Sequence, residues 1–256
     1  MKLILLASAV AISLGQDAAR AIDVSVLKIG PSARVAEVDL GKLKGDLRQI
    51  AWSTDGSQLY VQTADGDGPS AKLRHYMVAA VGGAPQAVDT APEWAETYWA
   101  FKSDRAAPGI GSLMIDVEQK LETVKIGTGS AGAADRSSNG LGADNINSGA
   151  NLERAAESQK QNVIRLTLFG EAVGEFVNQR PIPGLTFSWG PSGSGAIVYA
   201  DRDGRLLLLD QYKHKRIISG AKDAVLPAWS TDGMRLAWAQ KTGRRKYTLM
   251  AAPIAK

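Results

Sequence analysis

Short apolar runs, separated by turns rich in Gly, Asp and Ser, recur along most of this chain. In one stretch an apolar run at residues 59–61 is followed by another at 76–79, and further on the same pairing occurs at 196–199 and 206–209. These runs are three or four residues long and rich in β-branched, aromatic and leucine side chains, a pattern typical of β-strands rather than helices. The hydrophobic pattern therefore predicts an all-β protein with very little helix.

A tryptophan motif precedes several of these paired runs. The sequence AWSTDG occurs at residues 51–56 and again at 228–233, and the related SWGPSG occurs at 188–193. A shorter version, PEWAE, lies at residues 92–96, so that marker tryptophans are separated by 42 and by 40 positions. Self-similarity at a period of about 40 residues, with several short strands in each unit, is typical of β-propellers.

The apolar runs keep the same period. Steps of 40, 37, 53, 41 and 41 residues separate six apolar anchors: Val38, Val78, Ile115, Leu168, Leu209 and Met250. This count favours a six-bladed propeller with one eroded and one partial blade, and a five-bladed ring is the alternative. We expect the strands at residues 24–29 and 35–40 to meet the C-terminal blade, either completing it or forming the partial blade beside it.

The motif has a mechanical interpretation. Each Trp would lie at the end of an inner strand and pack between blades, while Asp accepts backbone N–H groups and Gly takes a positive φ in the turn that follows. The predicted repeat positions are Trp52, Asp55, Gly56, Trp94, Trp189, Trp229, Asp232 and Gly233. The run DGDG at residues 65–68 is the best candidate for calcium ligands, against a solvated turn, and the glycine-rich run at 190–195 falls on a hairpin rather than on a nucleophile or phosphate loop.

These motifs resemble a known family. The pattern W-S-x-D-G-x-x-L, followed by a Y-x-V strand and by Gly82-Gly83, is similar to the WD40-like β-propeller repeat of TolB-type periplasmic proteins, over residues 50–126 and 184–252. The resemblance implies a propeller that binds protein partners at the cell envelope. TolB itself carries an extra N-terminal α/β domain, whereas here residues 22–46 precede the first marked blade.

Two segments fall outside the repeat. Residues 1–21 combine Lys2, an apolar run and a final Ala-Arg-Ala, which is the pattern of a secretory signal peptide. The domain that we predict, residues 22–256, is then periplasmic or secreted, with no transmembrane span after cleavage. The Gly-, Ser- and Asn-rich stretch at about 127–150 predicts a long mobile loop where a blade has eroded, with a functional arm as the alternative.

Composition restricts the chemistry. The chain has no cysteine and two histidines, His75 and His214, which argues against thiol chemistry, disulfides and multi-histidine metal centres. Neither histidine has candidate ligand partners nearby in the sequence. We therefore predict no catalytic, cofactor-binding or metal-binding residues and no cofactor.

The basic residues form two short clusters. Lys213, Lys215 and Arg216 follow the third strand of one blade, whereas Arg244, Arg245 and Lys246 lie in a hairpin that opens on the opposite face. They are candidate partner contacts, but because they do not merge and the net charge is only +4, nucleic-acid binding is not expected. The sequence thus predicts an exported, monomeric, non-catalytic protein-interaction scaffold; the alternative is a ligand-binding or enzymatic propeller, of hydrolase or lyase type, that uses the central funnel.

Overall fold

A computed structural model describes residues 21–66, 70–121, 160–178, 187–201 and 204–255. Most of these residues lie in antiparallel strands, which confirms the predicted β-rich architecture. The predicted signal peptide, the loop at 127–150 and part of the 65–68 run lie outside the described residues. Among the described residues, no helix is long and apolar enough to cross a membrane.

The strands form four sheets, numbered here in chain order, and each sheet has its first strand at one edge. Before the first sheet come β1 (Lys28–Ile29), β2 (Ala33–Asp39) and the short helix α1 (Leu40–Leu43). Sheet I contains β3 (Asp46–Trp52), β4 (Gln58–Asp65), β5 (Lys72–Ala79) and β6 (Gln86–Val88), and helix α2 (Glu93–Lys102) follows it. Sheet II contains β7 (Ala106–Ala107), β8 (Ile110–Leu121), β9 (Lys160–Leu168) and β10 (Glu171–Asn178). Sheet III contains β11 (Phe187–Trp189), β12 (Ala196–Ala200), β13 (Leu206–Asp210) and β14 (Lys215–Ile217), and sheet IV contains β15 (Ala224–Trp229), β16 (Arg235–Gly243) and β17 (Lys246–Ala255).

The N-terminal strands complete sheet IV. Strand β2 pairs with β17, with Val38 opposite Tyr247, and β1 pairs with the end of the same strand, with Ile29 opposite Ile254. An unpaired β17 would leave a long exposed edge, and the N-terminal strands cover it. Of the two arrangements expected from the sequence, the structure therefore has the completed C-terminal blade and not a separate partial blade.

The six anchors fall on four sheets. Val38 and Met250 both belong to sheet IV, and Ile115 and Leu168 lie on the neighbouring strands β8 and β9 of sheet II. The favoured count of six blades is therefore not confirmed. A spacing of about 40 residues between apolar runs predicts strands, but it does not show whether two of those strands belong to the same sheet.

Three apolar clusters join the sheets in the spatial order I, IV, III, II. Alternation along the strands supplies side chains to both faces of a sheet. In β16, for example, Ala237 and Ala239 face the cluster shared with sheet I, whereas Leu236 and Trp238 face the cluster shared with sheet III. Among the described residues, α2 lies against the first strands β3 and β11 of sheets I and III.

Candidate functional site

Three of the four marker tryptophans occupy equivalent positions. Trp52, Trp189 and Trp229 are each the last residue of the first strand of a sheet and are 1%, 1% and 0% exposed. The indole of Trp52 donates a hydrogen bond to the carbonyl of Ala228 in sheet IV, at 3.2 Å. This contact places the Trp52 side chain between two sheets.

The turn after Trp52 is held by its own side chains. Asp55 Oδ1 accepts hydrogen bonds from Ser53 Oγ at 2.6 Å and from the backbone N–H of Ser57 at 2.9 Å, while Gly56 has φ +68°. The Ser53 hydroxyl, followed by the Ser57 backbone and hydroxyl, lowers the pKa of Asp55 from 3.8 to about 2. The sequence after Trp229 repeats this network: Asp232 accepts hydrogen bonds from Ser230 and from Met234 N, and Gly233 has φ +77°.

Successive turns of this kind touch one another. Arg235 Nη1 donates to the Gly56 carbonyl at 3.2 Å, which links the turns of sheets IV and I. Gly193 N donates to the Pro108 carbonyl at 2.7 Å, which links the turns of sheets III and II. A Cβ on Gly233 would lie 2.6 Å from Cγ of Pro191, so the turns of sheets IV and III are also in contact. The four turns form one continuous face, called here the turn face.

The fourth marker, Trp94, is not equivalent to the others. It lies on helix α2, whereas the sequence placed it at the end of an inner strand. The signals for a helix were present, because Pro92 precedes the first turn, Glu93 and Glu96 lie within it and Lys102 ends the last turn. The 42-residue spacing from Trp52 obscured them.

Helix α2 is fastened to the first strands of three sheets. Trp99 Nε1 donates to the Ile50 carbonyl of sheet I at 3.2 Å, and Tyr98 Oη donates to the Trp229 carbonyl of sheet IV at 2.8 Å. Lys102 Nζ donates to the carbonyl of Gly190, just after the last residue of β11, at 2.8 Å. The helix thus lies against the first strands of three of the four sheets, and the space beside it there is about 10 Å³, the size of one water molecule.

Lys102 is the most unusual side chain of the helix. It is 0% exposed, and its Nζ lies 5.6 Å from the ring centre of Phe101 and 5.9 Å from that of Tyr98. Burial lowers the pKa of Lys102 from 10.5 to about 7, against a smaller opposing effect of Asp232. Sequence reasoning missed this residue, because nothing adjacent to it in the chain shows that it is buried.

A cleft of about 480 Å³ separates α2 from the turn face. Trp94, Thr97 and Phe101 line it from the helix, and Trp52, Thr54 and Thr231 line it from the turns of sheets I and IV. Glu93 lines the cleft at the first turn of α2, and Lys102 lines it at the last turn. This volume and its mixture of aromatic walls with a few polar groups are typical of binding sites. We call this space the α2 cleft.

The two basic clusters lie at opposite ends of the sheets. In the first, Lys215 Nζ lies 5.8 Å from the ring centre of Tyr199, and Arg216 Nη1 donates to the carbonyls of Ser25 and Leu27. Lys213 lies in the turn between β13 and β14. This turn contacts the turn face, because Gln211 N donates a hydrogen bond to the Gly195 carbonyl.

In the second cluster, Arg244, Arg245 and Lys246 form the β16–β17 hairpin, and Arg245 Nη2 donates to the Gly45 carbonyl at 2.9 Å. Strand β3, the first strand of sheet I, begins at this end of the sheet with Asp46 and finishes at the turn face with Trp52. The structure therefore brings neither cluster into the α2 cleft.

His214 has partners that the sequence did not reveal. Its Nδ1 lies 2.9 Å from Oδ1 of Asp23 and 3.1 Å from Oδ2 of Asp210. Two carboxylates and an imidazole are donors that could hold a metal ion. However, the buried carboxylate of Asp210 also accepts backbone N–H groups from Val24, Tyr212 and His214. The cluster thus fastens the N-terminal segment to sheet III.

The other histidine, His75, lies in β5, where its ring stacks beside Tyr60 and accepts or donates a hydrogen bond at the Tyr60 hydroxyl. It lies outside the α2 cleft.

No protein-family model and no curated protein matches this sequence. Among solved structures, the chain is similar to Sqt1 from Chaetomium thermophilum, with 12% identity over 83% of this chain and 44% of that one, and a TM-score of 0.25. C. thermophilum Sqt1 bound to the N-terminus of ribosomal protein L10 has 13% identity over 82% of this chain and 46% of that one, with a TM-score of 0.24. The Dos1 propeller has 9% identity over 80% of this chain and 66% of that one, with a TM-score of 0.23. The chain thus spans less than half the length of the Sqt1 chains.

Proposed function

We propose that this chain is an exported, non-catalytic β-propeller that acts as a protein-interaction scaffold at the cell envelope, and that it binds its partner in the α2 cleft. The cleft carries the proposal, because it places half-buried aromatic side chains, Trp94 and Phe101, on a helix that is hydrogen-bonded to three sheets. Aromatic side chains in a concave patch are the groups that contribute most to protein–protein binding energy.

The contacts between sheets support the propeller. Strand β15 packs against β3 on one side and β11 on the other, so the first strands of three sheets lie side by side. The linked turns of all four sheets extend this arrangement along the turn face. Helix α2 lies against the same first strands, to which it is hydrogen-bonded through Tyr98, Trp99 and Lys102.

The N-terminal segment supports export. Ile22 follows the predicted cleavage site directly; it is 7% exposed, and its N–H donates to the Ser194 carbonyl at 2.8 Å. The folded core therefore includes Ile22, the residue that directly follows the predicted signal peptide.

A blocking substitution tests the site. Thr97 is an exposed residue of the cleft wall, and an arginine there would fill the cleft without disturbing the core. Thr242, exposed on β16 at the other end of the sheets, offers the same substitution as a control. The purified chain serves as bait in envelope extract, and the captured protein is then titrated against each variant.

We expect the partner to bind the unaltered chain and Thr242→Arg equally, and Thr97→Arg at least tenfold more weakly. A partner that binds Thr97→Arg with full affinity would show that the α2 cleft is not the interaction site. If the unaltered chain captures no protein beyond that retained by bare resin, the scaffold function itself is wrong.

A further inference from the structure

The α2 cleft is negatively charged where solvent reaches it. Among the described residues that line the cleft, the charged ones are Glu93 and Lys102. Glu93 is exposed, whereas Lys102 is 0% exposed and its Nζ donates a hydrogen bond to the Gly190 carbonyl. The formal charge that a ligand meets on the wall of the cleft is therefore the negative charge of Glu93.

Further carboxylates surround the opening of the cleft. Each of the threonines that line the cleft is next in the sequence to an exposed acidic residue. These pairs are Thr54 with Asp55, Thr97 with Glu96, and Thr231 with Asp232. The acidic residues come from the turns of two sheets and from α2, so the negative charge lies on both sides of the cleft.

A basic side chain balances part of this charge. Arg235 Nη1 lies 3.7 Å from Oδ2 of Asp232 and donates a hydrogen bond to the Gly56 carbonyl. The hydrogen bonds that Asp55 and Asp232 accept within their turns hold both side chains in place but do not neutralise them. The carboxylates of Asp55, Glu93 and Glu96 therefore remain to attract a positively charged ligand.

Aromatic side chains lie next to Glu93 on the same side of α2. Successive residues of an α-helix are about 100° apart around its axis, so Trp94 and Phe101 both fall within about 100° of Glu93. Both aromatic side chains line the cleft and are half-buried. The Trp94 ring is also fixed by an edge contact with Tyr60, with ring centres 6.3 Å apart and ring planes at 82°. An aromatic ring beside a carboxylate is an arrangement that binds cations.

An arginine side chain fits these walls better than a lysine. Its guanidinium is planar, stacks on aromatic rings and can give two parallel hydrogen bonds to one carboxylate. It is also more weakly hydrated than an ammonium group, so less hydration is lost when it enters a cleft with apolar walls. The cleft volume of about 480 Å³ lies within the range of ligand-binding sites.

We propose that the α2 cleft binds a basic segment of the partner polypeptide through an arginine side chain, whose guanidinium pairs with Glu93 and stacks against Trp94, while a neighbouring apolar side chain lies against Phe101. This inference rests on the proposed function, because it specifies the chemistry of the segment that the partner places in the cleft. The carboxylates around the opening favour the approach of a basic segment over that of an acidic one.

Two matched peptides test the inference. The probes are acetyl-Arg-Gly-Leu-Gly-Arg-amide and the same peptide with citrulline at both arginines, which keeps the shape of each side chain and removes its charge. Each is titrated into the purified chain by calorimetry at low ionic strength, where exposed charges are least screened. Glu93→Gln removes the carboxylate from the cleft, and Glu37→Gln, at an exposed glutamate of β2, is the matched control.

We expect the arginine peptide to bind the unaltered chain about 5- to 30-fold more tightly than the citrulline peptide, the range for one exposed charge pair together with one cation–π contact. Glu93→Gln should reduce this ratio about two- to fivefold, and Glu37→Gln should keep it. Thr97→Arg should abolish the advantage of the arginine peptide, because its own guanidinium then lies four residues after Glu93 on the same side of α2. Thr242→Arg should leave the advantage unchanged.

Equal binding of the two peptides to the unaltered chain would overturn the inference, and this comparison needs no variant to fold. A ratio that is unchanged in Glu93→Gln, or binding of neither peptide, would also overturn it. The proposed function would fail separately. A partner whose binding is lost in Thr97→Arg still establishes the cleft as an interaction site even when arginine gives no advantage over citrulline.

Discussion

At the scale of single residues, surroundings give chemically ordinary side chains different roles. Lys102 and Lys222 are the same residue type, yet one is buried under the rings of Tyr98 and Phe101 and the other is exposed. Trp94 and Trp229 are likewise both tryptophans that follow the same period, but Trp229 lies in the core and Trp94 on the wall of a cleft. The chemistry of the site comes from such placements.

The burial of Lys102 predicts a pH-dependent stability. Its pKa falls from 10.5 to about 7 on folding, so between these values the unfolded chain holds more protons than the folded one. The free energy of unfolding should therefore rise as the pH increases from 7 towards 10.5. Urea unfolding at several pH values measures this slope, and subtraction of the curve for Lys102→Met isolates the contribution of the lysine.

The lysine at position 222 is the control for this measurement. Lys222→Met should keep the pH dependence of the unaltered chain, because that side chain is exposed. Parallel curves for Lys102→Met and the unaltered chain would mean that Lys102 keeps an ordinary pKa in the folded protein.

At the scale of elements, the turns after the marker tryptophans do two things. Each turn closes a hairpin through local hydrogen bonds to Asp55 or Asp232, and each also contacts the turn of the next sheet. In a hairpin turn that makes no contact with another sheet, replacing a glycine by alanine would cost only the backbone strain of a positive φ.

Gly233 and Gly170 separate these two roles. Both have positive φ, +77° and +85°, but a Cβ at Gly233 would lie 2.6 Å from Cγ of Pro191, whereas a Cβ at Gly170 would meet nothing within 4 Å. Gly170→Ala should cost about 1–2 kcal/mol of backbone strain. Gly233→Ala should cost about 1–3 kcal/mol more, because overpacking is added to the same strain.

Urea unfolding of the two variants, under the same conditions, measures the difference. Equal losses of stability would show that the turns of sheets III and IV are not tightly packed, and that each turn acts within its own hairpin.

At the scale of the whole molecule, the two ends of the described chain share sheet IV. Strand β2 pairs with β17 along six residue pairs, from Lys246 opposite Asp39 to Ala251 opposite Ala33. Residues 22–27 also enter the cluster between sheets III and IV, through Ile22, Val24 and Leu27. The N-terminal segment therefore contributes to two interfaces between sheets.

Deletion of residues 22–41 should destabilise the whole molecule and not only its edge. We expect a lower melting temperature with one cooperative transition, because the deletion exposes the edge of β17 and removes core side chains from two clusters. Glu37→Ala, at an exposed position of β2, should melt close to the unaltered chain. An unchanged melting temperature for the deletion would refute the role of the N-terminus in closing sheet IV.

Local patterns in the sequence determined the strands, the turns after Trp52 and Trp229, and the meeting of the chain ends. Those features depend on neighbours in the chain: alternation of apolar residues, an Asp that accepts N–H groups two residues on, and a Gly that accepts positive φ. The sequence also had two predicted strands before the first marked blade, and these are the strands that pair with β17.

Tertiary structure alone decided how the sheets divide, where α2 lies and what surrounds Lys102 and His214. The six apolar anchors have the same spacing whether two of them share a sheet or not, and the sequence around Trp94 satisfies both a repeat period and a helix. Asp23 reaches His214 from 191 positions away, and Lys102 becomes buried only when Gly190 and Tyr98 close around it. These properties depend on distant strands packing together, and local sequence does not contain that information.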